Sequence, residues 1–411
     1  MRHILKHRFL EQLSCCSDKL VIYIHIPFCR SFCTYCDFYS EVAAKCRRAE
    51  DETRQQEQFN AFAEALKKEM AYRAGELSDE VNTIYIGGGT PSVLPLSVYS
   101  SLVQELREAG IKAPFDEFTF EVNPEDVVDK GPAYIEGLME LGVNRISMGV
   151  QSFDDSVLKF MNRRHDAETA RKAYSILEQA GVGNISLDLI FGLPQLSDDQ
   201  WNHTLDQALS ISSDGRQPCH VSSYQLSVEP GSALARLVER GKWEEATEEA
   251  CARQYDILCS RLKAAGYHHY EISNFALPGY EARHNSAYWA HVPYVGLGPG
   301  AHSFITPAVQ APGGKEYIRR WNRPDLQAYI ADPLSVSEQE VLDDEQIVME
   351  KVMLALRTSA GVSEAFIRKR CDAAAVDRAI LAGDLVPAGE GMLRIPEDKF
   401  FVSDRIVAEI I

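Results

Sequence analysis

The sequence has no apolar run long enough to cross a bilayer, and charges at Arg2, Lys6, Arg8, Glu11 and Asp18 interrupt its first twenty residues. Neither a transmembrane segment nor a secretory leader is therefore expected. Basic charge is in short supply as well. Lysine and arginine number 42 against 60 aspartates and glutamates, a formal net charge of -18. That balance argues against non-specific contact with nucleic acid or an anionic membrane surface, both polyanions. The ten cysteines lack the even spacing of a disulfide framework. Free thiols and a reducing, cytoplasmic setting are the expectation. A hydrophobic content of 45% in 411 residues leaves room for one large domain and a smaller one.

What the chain does have is three cysteines in a C-x3-C-x2-C spacing, Cys29, Cys33 and Cys36. Three thiols on one short loop bind metal. A structural zinc takes four protein ligands, so a trio suits an iron-sulfur cluster with one iron left open. A zinc reading would need His25 or Asp37 as the fourth ligand. The preceding Val21 to Ile26 alternates around β-branched residues as a strand, and Pro27 ends it. The loop thus leaves the end of a strand, where parallel α/β folds place their chemistry.

Strand and helix signals then alternate. Strands are expected at Thr83 to Ile86, Glu117 to Val122, Arg145 to Val150, Ile185 to Ile190 and His220 to Leu226. Helices are expected between them, ending near Arg73, from Leu96 to Ala109, and at about 131–141 and 167–180. Six such units are too few to close an eight-stranded barrel, which predicts an open, partial (β/α)6 barrel. Glycines at 87–89 allow close backbone approach to a ligand. Glu121, Gln151 and Asp188 sit at or near strand ends, where they could converge over the cysteine loop. Each alone is equally well explained as a capped helix or a surface ion pair.

The cysteine run resembles the signature of the radical S-adenosylmethionine (SAM) superfamily. Gly87-Gly88-Gly89-Thr90-Pro91, Glu121 to Pro124, Gly149 to Phe153, Asn162-Arg163 and Leu187 to Pro194 are similar to the oxygen-independent coproporphyrinogen oxidase group. The resemblance implies that Cys29, Cys33 and Cys36 hold a 4Fe-4S cluster whose fourth iron chelates SAM. It further implies that Tyr23, Gly88, Gly89, Thr90, Glu121, Gln151, Arg163 and Asp188 contact SAM.

Two features separate the chain from porphyrinogen-decarboxylating members. Phe38 stands where they carry a further cysteine, and Cys29 comes too early for their longer N-terminal segment. Cys36 to Ser40 resembles the heme chaperone branch instead. His284 to Trp289 is similar to that branch's H-N-x-x-Y-W motif, which implies heme binding through His284, with His302 a second candidate. A lone histidine among aromatics is otherwise a satisfied structural residue. The chaperone reading implies heme and acceptor hemoproteins as partners, and leaves open a homodimer and membrane contact through a partner. The enzyme reading implies conversion of coproporphyrinogen III to protoporphyrinogen IX; a radical SAM enzyme with another substrate is a third reading.

Four segments are expected: a lead-in at 1–20, the barrel and its extension at 21–305, an irregular connector at 306–340, and a winged-helix-like module at 341–411. Within the module, Ser363 should be an N-cap. Without a basic stripe it is expected to be a lid or docking surface rather than a DNA reader.

Overall fold

The computed structural model describes residues 20–43, 49–77, 81–111, 113–307 and 316–411. All but the last residue of the expected lead-in, with Cys15 and Cys16, lies outside them. Six strands follow one another as parallel neighbours: β1 (Leu20–Ile26), β2 (Val81–Gly88), β3 (Glu117–Val122), β4 (Arg145–Gln151), β5 (Ile185–Phe191) and β6 (His220–Gln225). These are the six expected strands. They are almost wholly buried because helices cover one face of the sheet and the barrel interior the other.

The sheet runs further than the sequence pattern showed. At one edge, β7 (His268–Glu271) and β8 (Asn274–Ala276) form an antiparallel hairpin against β6. At the other, β9 (Tyr294–Leu297) joins β1 in parallel, followed by antiparallel β10 (His302–Ile305), β11 (Tyr317–Asn322) and β12 (Ser337–Leu342). The full order is β12-β11-β10-β9-β1-β2-β3-β4-β5-β6-β8-β7. Among the described residues no strand pairing joins the two ends of this order, so the barrel is open.

The expected connector, with its short pieces of structure, is more regular than that: β11, most of the edge strand β12 and the helix Leu326–Ala331, which packs on helix Ala49–Tyr72, lie within 306–340. β12 is exposed and polar over most of its length, and β11, paired on both sides, is half-buried with Arg319 and Arg320 at its centre, so neither gives a clean hydrophobic alternation to detect. The helix expected at 131–141 is present as Pro132–Glu140, and an unexpected short helix, Pro124–Lys130, precedes it, the two parted by Gly131 at φ +68.

Residues 344–410 run helix, strand, two helices, two strands, then a final helix, with strand order Val362–Ser363, Met392–Arg394, Val386–Pro387. This is winged-helix topology. Ser363 does cap its helix, accepting from the Phe366 N–H. The module docks on the β7 edge, where the Ile272 N–H donates to Arg357 O at 3.2 Å and the Ser359 N–H to Tyr270 O at 2.9 Å. None of its described residues lines the barrel cavity described below.

Candidate cofactor site

The loop after β1 is pinned at its base before it reaches the cysteines. Phe28–Cys29 pairs in parallel with Glu41–Val42, and the Gly89 and Thr90 N–H groups donate to Ile26 O and Phe28 O at 2.9 and 2.7 Å. A Cβ on Gly89 would stand 2.8 Å from both of those carbonyl oxygens, so only glycine lets the two loops meet. The far side is held by the turn after helix Asp155–Phe160: Asn162 Nδ2 donates to Phe32 O at 2.6 Å and the Thr34 N–H to Met161 O at 3.1 Å.

Cys29, Cys33 and Cys36 line one cavity of about 430 Å³ with Gly88, Gly89, Thr90, Glu121, Gln151, Arg163 and Asp188, a volume typical of small-molecule sites. Arg163 organises its upper end. One guanidinium nitrogen donates to Cys33 Sγ at 3.4 Å, the other to Asn123 Oδ1 at 2.6 Å and Gly149 O at 2.7 Å. Asn123 Nδ2 donates to Thr90 Oγ1 at 3.1 Å, and that hydroxyl lies 3.5 Å from Cys29 Sγ. Burial pushes the Cys29 thiol up and the Cys36 thiol up to about 12. A bound cationic metal centre supplies the charge that makes thiolates favourable there.

Among the described residues, no three His, Cys, Asp or Glu are grouped as for a single metal ion. Nor is His25 free to complete a zinc site: its Nδ1 is 3.0 Å from Tyr23 Oη and its Nε2 2.8 Å from Tyr39 O. The donor set therefore fits a cluster, in which each thiolate binds a different iron, better than one zinc.

Below the loop the inner faces of the strands form a polar stripe. Glu121 pairs in register with Ser147, and Asp188 with Gly149 and Ser222. Glu121 accepts from Tyr85 Oη at 2.6 Å and the Gly88 N–H at 3.1 Å; burial nonetheless raises it to about 7. Asp188 accepts from Ser147 Oγ at 3.1 and 3.0 Å and is raised by burial to about 6. Gln151 carries φ +67, a strained value for a non-glycine residue and one often found at ligand sites. Sequence reasoning missed Tyr85, Asn123 and Arg145, all in the lining. Strand alternation could have found Tyr85, since it is two residues before Gly87 on the same face.

Tyr23, His25, His284 and His302, all singled out from sequence, stay outside this lining. Tyr23 turns to His25. His284 lies on helix Arg283–Trp289, which enters the barrel from the opposite end. Glu117 caps that helix, accepting from the Arg283 and His284 N–H groups at 2.7 and 3.2 Å. His284 is 1% exposed, with Nδ1 2.8 Å from Thr83 Oγ1 and Nε2 2.9 Å from Tyr288 Oη. Burial depresses it to about 3. Both ring nitrogens are thus engaged, and iron ligation through Nε2 requires Tyr288 to turn away. Thr83 is five residues before Gly88, so His284 sits roughly 16 Å down the barrel from the cysteine loop. His302 is exposed on β10 and stacks on Trp321.

Residues 23–208 match the model of the radical SAM superfamily. The chain is 36% identical to the heme chaperone HemW of Bacillus subtilis (strain 168) over 346 residues, 83% of this chain and 84% of that protein. The chain belongs to the HemW family. A family member from Mycobacterium tuberculosis (strain ATCC 25618 / H37Rv) is 34% identical over 383 residues, 90% of this chain and 92% of its own. A span of that share takes in residue 284 wherever it begins. The solved structure of coproporphyrinogen III oxidase (HemN) from Escherichia coli, a radical SAM enzyme, superposes with a TM-score of 0.75. It is 21% identical, over 98% of this chain and 92% of that one, and shares the fold. As a radical SAM protein, this HemW-family chain has a 4Fe-4S cluster and SAM as its cofactors.

Proposed function

We propose that this protein is a heme chaperone, holding heme and passing it to acceptor hemoproteins, with a SAM-coordinated 4Fe-4S cluster in its barrel. The observation that carries this is the likeness to heme chaperones over 83–90% of the chain. The solved coproporphyrinogen oxidase, at 21% identity, supports the fold alone. Phe38, 63% exposed at the cavity rim, supports the same branch, because a decarboxylating relative is expected to have cysteine there.

Cys29, Cys33 and Cys36 would hold the cluster, and the glycine turn, Glu121, Gln151, Arg163 and Asp188 would bind SAM. When bound, the pair supplies one-electron chemistry. The chain's own contribution is placement: Arg163 orients Cys33, Gly88 and Gly89 admit backbone to the ligand, and Glu121 and Asp188 offer acceptors in a site of low water content. His284 is the proposed heme ligand, reached when Tyr288 releases Nε2. A cytoplasmic setting belongs to the proposal, supported by seven described cysteines that are all free. No helix among the described residues is long and apolar enough to cross a membrane.

The test is an anaerobic heme titration of the cluster-reconstituted protein, followed at the Soret band, with His284→Ala and Tyr288→Phe in parallel. Saturable binding lost in His284→Ala and kept in Tyr288→Phe is expected. If the wild type does not bind heme specifically, the proposal fails, and decarboxylation of coproporphyrinogen III with SAM and a low-potential reductant becomes the assay.

A further inference from the structure

Two arginines are buried to below 5% exposure among the described residues, Arg73 at 4% and Arg145 at 2%. Arg73 is fully committed, to Glu76, Gly296 O and Ser303 Oγ at 2.7–3.1 Å. Arg145 is not. Its guanidinium makes no hydrogen bond or ion pair to any described residue, and its Nε is without a partner. It stands at the start of β4 and lines the cavity with Ser222 and Asn285, at the end away from the cysteines.

The carboxylates that could neutralise it are engaged elsewhere. Glu117, on the neighbouring strand, accepts from Thr119 Oγ1 at 3.0 Å and caps the helix bearing His284. Asp188 feels the guanidinium charge but takes its hydrogen bonds from Ser147 and Ser222. The remaining neighbours that feel it, Cys219, His220, His284 and Tyr270, hold no negative charge: burial keeps both histidines neutral and the thiol and the tyrosine protonated. A buried, unpaired cation is costly to the ligand-free fold, and an anionic ligand that pairs with it would offset that cost.

We propose that the floor of this cavity is a carboxylate-binding subsite, with Arg145 forming the ion pair and Ser222 and Asn285 flanking it. The guanidinium edge matches the two oxygens of a carboxylate. One cation balances one negative charge, whereas a phosphate dianion would bring excess charge near Asp188 and Glu121. SAM's own carboxylate belongs at the cluster, so the subsite serves a second ligand. The same chemistry is presented by a porphyrin propionate and by a small free acid. The propionate source rests on the heme chaperone reading; the subsite does not.

The full-length protein, 15N-labelled at arginine, reports directly through the Nε–H resonance of Arg145, assigned by its loss in Arg145→Lys. Sodium propionate should shift it saturably and sodium chloride should not. Zinc protoporphyrin IX, a diamagnetic stand-in for heme, should shift it at micromolar concentration if a porphyrin propionate is the source, and its dimethyl ester should not. A shift with propionate but not with the porphyrin supports the subsite and assigns it to a free acid, whatever the Soret titration shows. A resonance unmoved by both acids, or moved equally by chloride, overturns the subsite. Arg145→Met should weaken binding of the shifting acid at least about tenfold. It should also raise the Tm of the ligand-free protein by about 1–2 °C. A lower Tm would mean a structural arginine and would equally overturn the proposal.

Discussion

Cys33 and Cys29 are joined by one line of hydrogen bonds: Arg163 reaches Cys33 Sγ and Asn123, and Asn123 reaches the Thr90 hydroxyl beside Cys29 Sγ. Two of the three thiols are therefore oriented by side chains from the ends of two strands, Thr90 and Asn123, and from the turn after helix Asp155–Phe160, Arg163, before any metal arrives. Losing an outer partner of this kind typically costs about 10–100-fold in metal affinity.

Replacing any one of Cys29, Cys33 or Cys36 by alanine should abolish the cluster while leaving the apo-protein folded. Anaerobic reconstitution followed by absorbance checks the first half and circular dichroism the second. A cluster of ordinary absorbance in one variant would remove that cysteine from the ligand set.

Arg163→Ala should destabilise the apo-protein by about 1–3 kcal/mol, because the Asn123 and Gly149 oxygens lose a charged donor. Urea unfolding measures it. The variant should also bind the cluster more weakly; unchanged stability and unchanged cluster content together would show that the hydrogen-bonded line does not matter.

Gly89→Ala places a methyl 2.8 Å from two backbone oxygens that cannot yield without moving both loops. A loss of about 1–3 kcal/mol is expected, with SAM binding by calorimetry reduced more than in Gly183→Ala, where nothing stands within 4 Å. Equal effects at the two positions would count against the close approach.

Glu121 gives a pH dependence. Its folded value, about 7, lies above its ordinary value near 4.5, so the folded state binds the proton more tightly than the unfolded state does. The associated stability is complete below about 4.5 and is lost as pH rises toward 7. Glu121→Gln should remove that slope in the ligand-free protein, becoming more stable than wild type above pH 7 by at most about 3 kcal/mol. Parallel stability curves from pH 4.5 to 8 would place the raised value elsewhere.

His284→Ala should cost the fold about 2–4 kcal/mol, since it opens a cavity and strands Thr83 and Tyr288. Loss of heme binding in that variant is informative only beside Tyr288→Phe, which frees Nε2 without removing the ring. If Tyr288→Phe binds heme more weakly than wild type, Tyr288 itself contributes and the release step is wrong.

Local pattern was enough to place the six parallel strands, the cysteine loop and the Ser363 cap, because each depends on residues close together in the chain: short runs of β-branched and other apolar residues, a three-thiol spacing, a hydroxyl ahead of a helix. It was enough, too, to single out most of the cavity's residues, since parallel strands bring their ends to one rim. The edge strand β12 and its neighbour β11 left no such trace. Nor could spacing along the chain show that His284 enters from the end opposite the cysteines, that Thr83 and Tyr288 engage both its ring nitrogens, or that Glu117 is drawn away from Arg145 to cap a helix 166 residues later. Those facts depend on which side chains meet across the barrel, and hydrogen-bond partners so far apart in sequence are chosen only when the chain has closed around them.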